Sequence, residues 1–280
     1  MVGDTGNGQG SGPRDGSGSG VTPAGKDTPA TSASPPSSAP AQKGAPPQTA
    51  TPRRGARARA GKATRASRVA SELRDLILRG DLPPGSKVHL DQLRERFGVS
   101  LSPMREAVSR LVADGIVVFE DQRGYRIAPV SRENLMEISQ VRADVESLAL
   151  RYAIAAADLD WESEILAALH RVNRTPRDND DPDRFEAWEQ AHSDFHQALI
   201  SGCALPTLLR FCATLHLQTD RYRRLLLPGT APDLDVAQEH AAIAEAAVAR
   251  DTDRAAALLH DHIQRTGTML AARIDPDLTD

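Results

Sequence analysis

The chain has 280 residues, of which 40% are hydrophobic, 26% charged and 4% aromatic, with 34 basic and 38 acidic side chains. This composition predicts a globular protein of two modest domains and excludes a single large enzyme core. No stretch approaches the roughly 18 consecutive apolar residues that cross a bilayer, so we expect no contact with a membrane.

The first 62 residues differ from the rest, with 12 Gly, 9 Pro and a net charge of +5. Such a segment cannot bury enough apolar surface to offset its ordering entropy, so we predict a disordered basic arm. Residues 63–130 carry a net charge of +2 and residues 131–280 a net charge of −11. A polyanion is therefore expected to meet the N-terminal part of the chain, although the arm can also be read as a solubilising linker.

Residues 63–130 predict three helices and a hairpin, because apolar residues recur at helical spacing and then alternate. The predicted elements are a helix from Ser67 to Gly80, a short helix that ends at Gly98, a helix from Ser102 to Gly115, and strands Ile116–Glu120 and Tyr125–Ala128. This order is that of a winged helix-turn-helix DNA-binding domain, whose third helix lies in the major groove.

The candidate DNA-binding residues lie at the start of the third helix and at the tip of the hairpin. Base contacts are expected from the helix N-terminus, phosphate contacts from further along the helix, and groove or backbone contacts from the wing. In that order, the candidates are Ser100, Ser102 and Arg105, then Arg110, and then Gln122, Arg123 and Gly124.

Residues 131–275 are predicted to form an antiparallel bundle of about six helices, in which a ligand site would lie between facing helices. An amphipathic helix carries Leu135, Ile138, Val141, Val145, Leu148 and Tyr152 on its apolar face. The other predicted helices are Trp161–Asn173, Asp183–Ser201, Leu205–Leu226, Asp235–Arg250 and Thr252–Arg273. The mostly α fold class thus joins a winged domain to a helical effector-binding and dimerisation domain.

Four histidines of this domain fall on apolar helix faces and are expected to converge: His192, His196, His240 and His262. Neutral imidazoles bind divalent transition metals, and we predict Zn²⁺ or Ni²⁺ here. The histidines can alternatively be core residues with ordinary hydrogen bonds. His170, His216 and His260 do not share the inward pattern.

The segment GDLPPGSKVHLDQLRERFGVSLSPMREAVSRLVADGIVVFEDQRGYRIAPVS resembles the DNA-binding domain of the GntR family of bacterial transcription regulators. It departs from the family at Leu101, where an arginine that reads guanine is usual, so the operator sequence does not carry over. The later segments HSDFHQALI and EHAAIAEAAVARD resemble the ligand-binding domain of FadR-type members. This resemblance implies a metal site beside a small organic acid, with His192 in the place of the usual aspartate.

Arg142 is the candidate partner of the effector carboxylate, because a guanidinium binds a carboxylate with two hydrogen bonds. An ion pair with Glu146, four residues further along the helix, is the alternative. A second basic cluster, Arg221, Arg223 and Arg224, is expected on a solvated or dimer-facing surface.

We therefore expect a cytoplasmic transcriptional repressor, associated with the nucleoid when bound to DNA, rather than an enzyme. Two cysteines, Cys203 and Cys212, are too few for a disulfide framework and agree with a reducing compartment. A homodimer would bind a pseudo-palindromic operator and respond to a small carboxylate held beside the metal. The alternatives are a regulator whose effector is the metal itself and a metal-dependent enzyme built on the bundle.

Overall fold

The computed structural model describes residues 64–178, 180–228 and 235–274, and within these ranges it confirms the predicted fold class. The predicted arm of residues 1–62 lies outside them. The elements are α1 (Arg65–Leu78), α2 (Leu90–Arg96), α3 (Leu101–Ala113), β1 (Val117–Glu120), β2 (Gly124–Ile127), α4 (Arg132–Ala156), α5 (Leu159–Arg174), α6 (Pro182–Ile200), α7 (Pro206–Leu226), α8 (Asp235–Val248) and α9 (Thr252–Ala271).

The winged domain has its own apolar core between α1 and α3. The hydroxyl of Thr64 caps α1 by accepting a hydrogen bond from the backbone N–H of Ser67 at 3.1 Å. Leu73 of α1 and Met104 and Leu111 of α3 are fully buried in this core. The core holds α3 with its N-terminal residues on the surface.

The wing is an antiparallel hairpin in which Val117 pairs with Ile127 and Glu120 with Gly124. Gly124 has φ of +84°, a left-handed conformation that a residue with a Cβ adopts at a cost. Lys87 forms an additional antiparallel bridge with Arg126, so the segment before α2 adds a short third edge. The sequence pattern had indicated only a turn there.

The bundle is built around α4, which packs against α9, α7 and α6. The hydroxyl of Ser131 caps α4 directly after the wing. Leu135 and Ile138 are buried as predicted, but Val141, Leu148 and Tyr152 are 43–46% exposed. The predicted single apolar stripe was therefore wrong: α4 has a buried face of mixed polarity and a separate exposed apolar face.

Helix α7 joins the bundle to the winged domain. The side chain of Gln218 donates to the backbone oxygen of Asp114, at the C-terminal end of α3, at 3.0 Å. Arg221 donates to the backbone oxygens of Ala128 and Pro129, at 2.6 and 3.0 Å, between the wing and α4. Arg221 is thus buried rather than solvated, which corrects the prediction for this residue.

Candidate functional site

The four histidines predicted as metal ligands are brought together by three helices. His192 and His196 lie one turn apart on α6, His240 on α8 and His262 on α9, and all four are buried. One ring nitrogen from each lies within 4.8 Å of the others. Their ring centroids are 4.7 to 5.5 Å apart in the five pairs that are in contact.

The imidazoles of this cluster fit a divalent cation. Burial, followed by neighbouring positive charge, lowers the pKa of His192, His196 and His240 well below 6.5, so these rings are neutral. Nδ1 of His192, both nitrogens of His196 and Nε2 of His240 are buried without a hydrogen-bond partner. Leaving a buried polar atom unsatisfied costs about 1–3 kcal/mol, and a metal ion would satisfy those that carry lone pairs.

Glu239 fixes the ring orientation of His262. Its carboxylate lies 2.7 Å from Nδ1 of His262. Burial raises the pKa of Glu239, but hydrogen bonds from His262 and Arg265 outweigh this and hold it below 4.5. Because an ionised carboxylate only accepts hydrogen bonds, Nδ1 carries the proton and Nε2 keeps a lone pair, as in the carboxylate–histidine pairs of metal sites.

Arg142 forms a buried ion pair with Glu146, through Nε at 2.7 Å and Nη2 at 3.2 Å. Its Nη2 also lies 2.9 Å from Nδ1 of His216. Burial raises the pKa of Glu146, but Arg142 and then His216 outweigh this and bring it to about 2. The structure therefore shows the alternative of an intrahelical pair, and it places Arg142 beside the cluster with its charge already balanced.

The second basic cluster is buried as well, which corrects the prediction that it is solvated or dimer-facing. Arg223 donates to Glu189 of α6 at 3.1 Å and to Asp220 at 2.7 Å. Arg224 pairs with Asp220 at 3.0 Å and with Glu186. The positive charge of Arg223 also contributes to lowering the pKa of His192, so this network borders the histidine cluster.

The predicted DNA-binding side chains lie on the surface of the winged domain. Ser100 is the N-cap residue of α3, but its hydroxyl makes no capping hydrogen bond. Ser102 and Arg105 are exposed on the first turns of α3. Among the described residues no ion pair holds Arg105, so its guanidinium can reach a base edge.

The remaining candidates surround this helix start. Arg110 is exposed, and it pairs with Glu106 at 2.6 Å and donates to the hydroxyl of Ser67 at 3.0 Å. Gln122 and Arg123 are exposed at the tip of the wing, next to Gly124. These positions fit phosphate contacts better than base readout.

Two family models match the winged domain and the bundle. Residues 65–127 match the model described as bacterial regulatory proteins, gntR family, and residues 137–265 match the FCD domain. An uncharacterized HTH-type transcriptional regulator, BphR of Paraburkholderia xenovorans, is 38% identical over 69% of this chain and 79% of its own length. The chain belongs to the GntR family of transcription regulators.

A second relative and two solved structures are also similar to this chain. The HTH-type transcriptional repressor GlaR of Escherichia coli is 31% identical over 68% of this chain and 89% of its own length. The structure of McbR/YncC from E. coli superposes with a TM-score of 0.65 at 19% identity, covering 76% of this chain and all of that one. A regulator structure from Rhodococcus sp. RHA1 has a TM-score of 0.61 at 22% identity, covering 75% and 99%.

The matched domains and these relatives are transcription regulators rather than enzymes, and the chain is a DNA-binding regulator of this family. None of the helices in the described ranges is long and apolar enough to cross a membrane. The FCD match assigns the FadR-type domain arrangement to this GntR regulator.

Sequence reasoning missed several residues of the histidine site in this GntR regulator. His216 is buried beside His196, with ring centroids 5.7 Å apart, although it had been set aside. Glu146 and Glu239 contact the cluster, and neither was among the predicted residues of the metal site. One signal was available: Cys212, His216, Thr219 and Arg223 recur at helical spacing, but as polar residues they were not read as an inward face.

Proposed function

We propose that this GntR regulator is a homodimeric repressor that binds a pseudo-palindromic operator and responds to an organic acid held beside a divalent transition metal, Zn²⁺ or Ni²⁺. The observation that carries the proposal is the convergence of four buried, neutral histidines in a bundle whose helix α7 contacts the DNA-reading domain. Neither the metal nor the acid would be needed for DNA binding alone.

The surface of the winged domain supports sequence-specific DNA binding. Ser100, Ser102 and Arg105 share one end of α3, and Arg123 extends from the wing. Because a single short helix contacts few bases, useful specificity needs two copies of the domain on related half-sites.

The exposed apolar face of the bundle supports a homodimer. Val141, Leu148 and Tyr152 lie on one face of α4, and Phe211 of α7 is 61% exposed. The thiol of Cys212 on α7 contacts the backbone oxygen of Val145 at 3.7 Å, so the two helices are neighbours here. A contiguous apolar surface of this kind marks an interaction site, and a second copy of the chain would cover it.

The histidine cluster supports metal binding through His192, His196, His240 and His262. A bound metal would supply positive charge and a coordination position for a carboxylate oxygen. Arg142, which contacts Glu146 and His216, remains the candidate positive partner of the acid's carboxylate. Since Glu146 already balances Arg142, the metal as sole effector is the second candidate.

Coupling to DNA would run through α7 and the start of α4. Arg223 links α7 to Glu189 beside the cluster. On the same helix, Gln218 contacts the end of α3, and the hydroxyl of Tyr222 donates to Asn134 in the first turn of α4 at 2.9 Å. An effector that binds two positions of α7 with different affinities would shift the winged domains of the dimer relative to each other. A tenfold difference between the two affinities corresponds to about 1.4 kcal/mol.

Selection from a random duplex library, followed by gel shifts on the enriched sequence, tests the DNA-binding part. We expect inverted repeats to be enriched, and the affinity to change either with zinc alone or only with zinc and an organic acid. Enrichment of single, unpaired half-sites would contradict the dimeric reading. Titration of zinc before the acid separates the two candidate effectors.

Analytical ultracentrifugation tests the proposed dimer surface. Leu148→Glu should produce a monomer, because a charge would be buried without a partner in the interface. Leu166→Glu is the matched control, since Leu166 is 50% exposed on α5, away from the α4 face. Equal sedimentation of both variants and the wild type would show that the dimer interface lies on another surface.

A further inference from the structure

One apolar side chain at the start of α3 is left out of the core of the winged domain. Leu101 is the first residue of α3 and is half-buried. Val99 before it packs against the core, and Met104 after it is fully buried there. Among the described residues, those that form this core or pack against it do not include Leu101. Its side chain is therefore partly exposed at the end of α3 that carries the candidate base contacts.

Leu101 shares a face of α3 with Arg105. Residues four positions apart lie one above the other on a helix, and their side chains lean towards its N-terminus. Arg105 is exposed, and so are Ser100 and Ser102 on either side of Leu101. The first turn of α3 holds no acidic residue that would repel a phosphate. This end of the helix thus presents one guanidinium, two hydroxyls and one branched apolar side chain.

These side chains differ in the base edges that they can recognise in the major groove. A guanidinium binds O6 and N7 of guanine, whereas a serine hydroxyl can pair with more than one base. An apolar side chain has one matching group in this groove, the C5 methyl of thymine. Contact between Leu101 and that methyl would remove apolar surface of both groups from water, which favours binding. The arrangement therefore favours a thymine opposite Leu101.

We propose that Leu101 is a specificity-determining residue that contacts the methyl group of one thymine in each operator half-site. This inference rests on the proposed function, because it needs α3 in the major groove of a specific operator. Four residues of a helix rise by about 6 Å, and successive base pairs lie about 3.4 Å apart. The thymine is therefore expected within two base pairs of the one that Arg105 contacts.

Uracil substitution tests this contact, because uracil pairs as thymine does and lacks only the C5 methyl. The full-length protein first selects its operator from a random duplex library. Each thymine of the enriched half-site is then replaced by uracil, and the affinity is measured by gel shift at one fixed salt concentration. We expect one position at which loss of the methyl weakens binding about fourfold per half-site, the effect of one buried methyl-sized group.

Leu101→Ala should bind the thymine and uracil operators equally, because the side chain that contacts the methyl is removed. Its affinity for a random-sequence duplex should stay within about twofold of the wild type, since phosphate contacts carry that binding. This second measurement separates a lost base contact from a loss of folding. Leu76→Ala is the matched control and should keep the full response to uracil, because Leu76 is likewise half-buried and outside the core cluster but lies on α1.

A gain of specificity provides an independent test. Leu101→Arg places a guanidinium where the apolar side chain was, and a guanidinium binds guanine with two hydrogen bonds. A new selection with this variant should replace the A·T pair by a G·C pair at the same position and leave the rest of the half-site unchanged. A variant that fails to fold cannot acquire a new preference.

The outcomes separate this inference from the proposed function. The role of Leu101 would be overturned by an enriched operator in which no thymine responds to uracil, or by an unchanged response in Leu101→Ala. Selection of the same sequence by Leu101→Arg and the wild type would overturn it as well. In each of these cases operator binding itself would stand. If the wild type enriched no sequence, the proposed operator binding would be overturned, and this inference with it.

Discussion

Acidification of the metal-free protein should destabilise the fold through its buried histidines. His192, His196 and His240 have pKa values well below their ordinary 6.5, because burial and then nearby positive charges disfavour the imidazolium. In the unfolded chain the same rings take up protons near pH 6.5. Their contribution to stability is therefore present above pH 6.5 and is lost as the pH falls below it.

The size of this effect follows from proton linkage. Between pH 7.5 and 5.5, each neutral histidine lowers the free energy of unfolding by about 1.4 kcal/mol, or about 4 kcal/mol for the three. Glu189 acts in the opposite direction, since burial raises the pKa of its carboxyl to about 7 and Asp220 adds to this, against Arg223. Protonation of Glu189 raises the free energy of unfolding by about 2 kcal/mol over the same interval. The net fall in the free energy of unfolding is therefore about 2 kcal/mol. The lowered pKa values of His216 and His262 add to the loss.

Urea denaturation followed by circular dichroism, with chelator at pH 7.5, 6.5 and 5.5, measures this loss. In His192→Gln the free energy of unfolding should fall by about 1.4 kcal/mol less than in the wild type, because one titrating group is removed. His260→Gln is the matched control, since its side chain is 35% exposed on α9. Added zinc should move the loss to lower pH, because metal and protons compete for the same nitrogens.

The reasoning would be refuted by a free energy of unfolding that stays constant, or rises, between pH 7.5 and 5.5 in the chelated wild type. An identical loss in His192→Gln would refute it as well. In either case the buried rings would already carry a proton or bind a water molecule in the folded state, and they would not be the neutral, unpartnered imidazoles described above.

Three further changes probe the reading head, the domain contact and the metal site. Arg105→Ala should cost roughly 1–3 kcal/mol of operator affinity and relax specificity at one base pair of each half-site, measured by binding to a set of single-base operator variants; a uniform loss on all sequences would indicate a phosphate contact instead. Gly115→Ala should lower the free energy of unfolding, measured in urea, more than Gly80→Ala does. Both glycines have positive φ, but only at Gly115 would the new Cβ lie against Nε2 of Gln218. Equal losses in the two variants would mean that this amide moves freely. His240→Ala should retain less than one zinc per chain by elemental analysis and lose the effector response in gel shifts, and unchanged zinc content would remove His240 from the site.

Local patterns in the sequence were enough to predict the winged domain and the inward faces of the four clustered histidines. Helix caps, glycine stops and apolar spacing are local signals, so α1 to α3 and the hairpin were predicted to within about two residues. His192 and His196 lie four residues apart on one helix, and His240 and His262 share the apolar faces of theirs. Periodicity alone placed these four on inward faces, and the packing of α6, α8 and α9 brings them together.

Local patterns could not predict which charged side chains are buried. Arg142, Arg221 and Arg223 are buried because carboxylates or backbone oxygens from other turns and helices satisfy them. The oxygens that satisfy Arg221 and the Glu189 carboxylate that satisfies Arg223 are distant in sequence. Arg142 pairs with Glu146 within α4, but its burial depends on the helices that pack against α4. Apolar periodicity assigns every arginine to the surface.

The same limit explains the two faces of α4 and the position of His216. Val141, Leu148 and Tyr152 are apolar but exposed, while Glu146 on the same helix is buried. The inward direction of a helix depends on where its neighbours lie, and α7 and α9 cover the polar side of α4. A buried polar residue is stable only when a hydrogen-bond partner is close to it in the folded protein. The sequence therefore supplies the polar residues, and the packing of the helices decides which of them form the site.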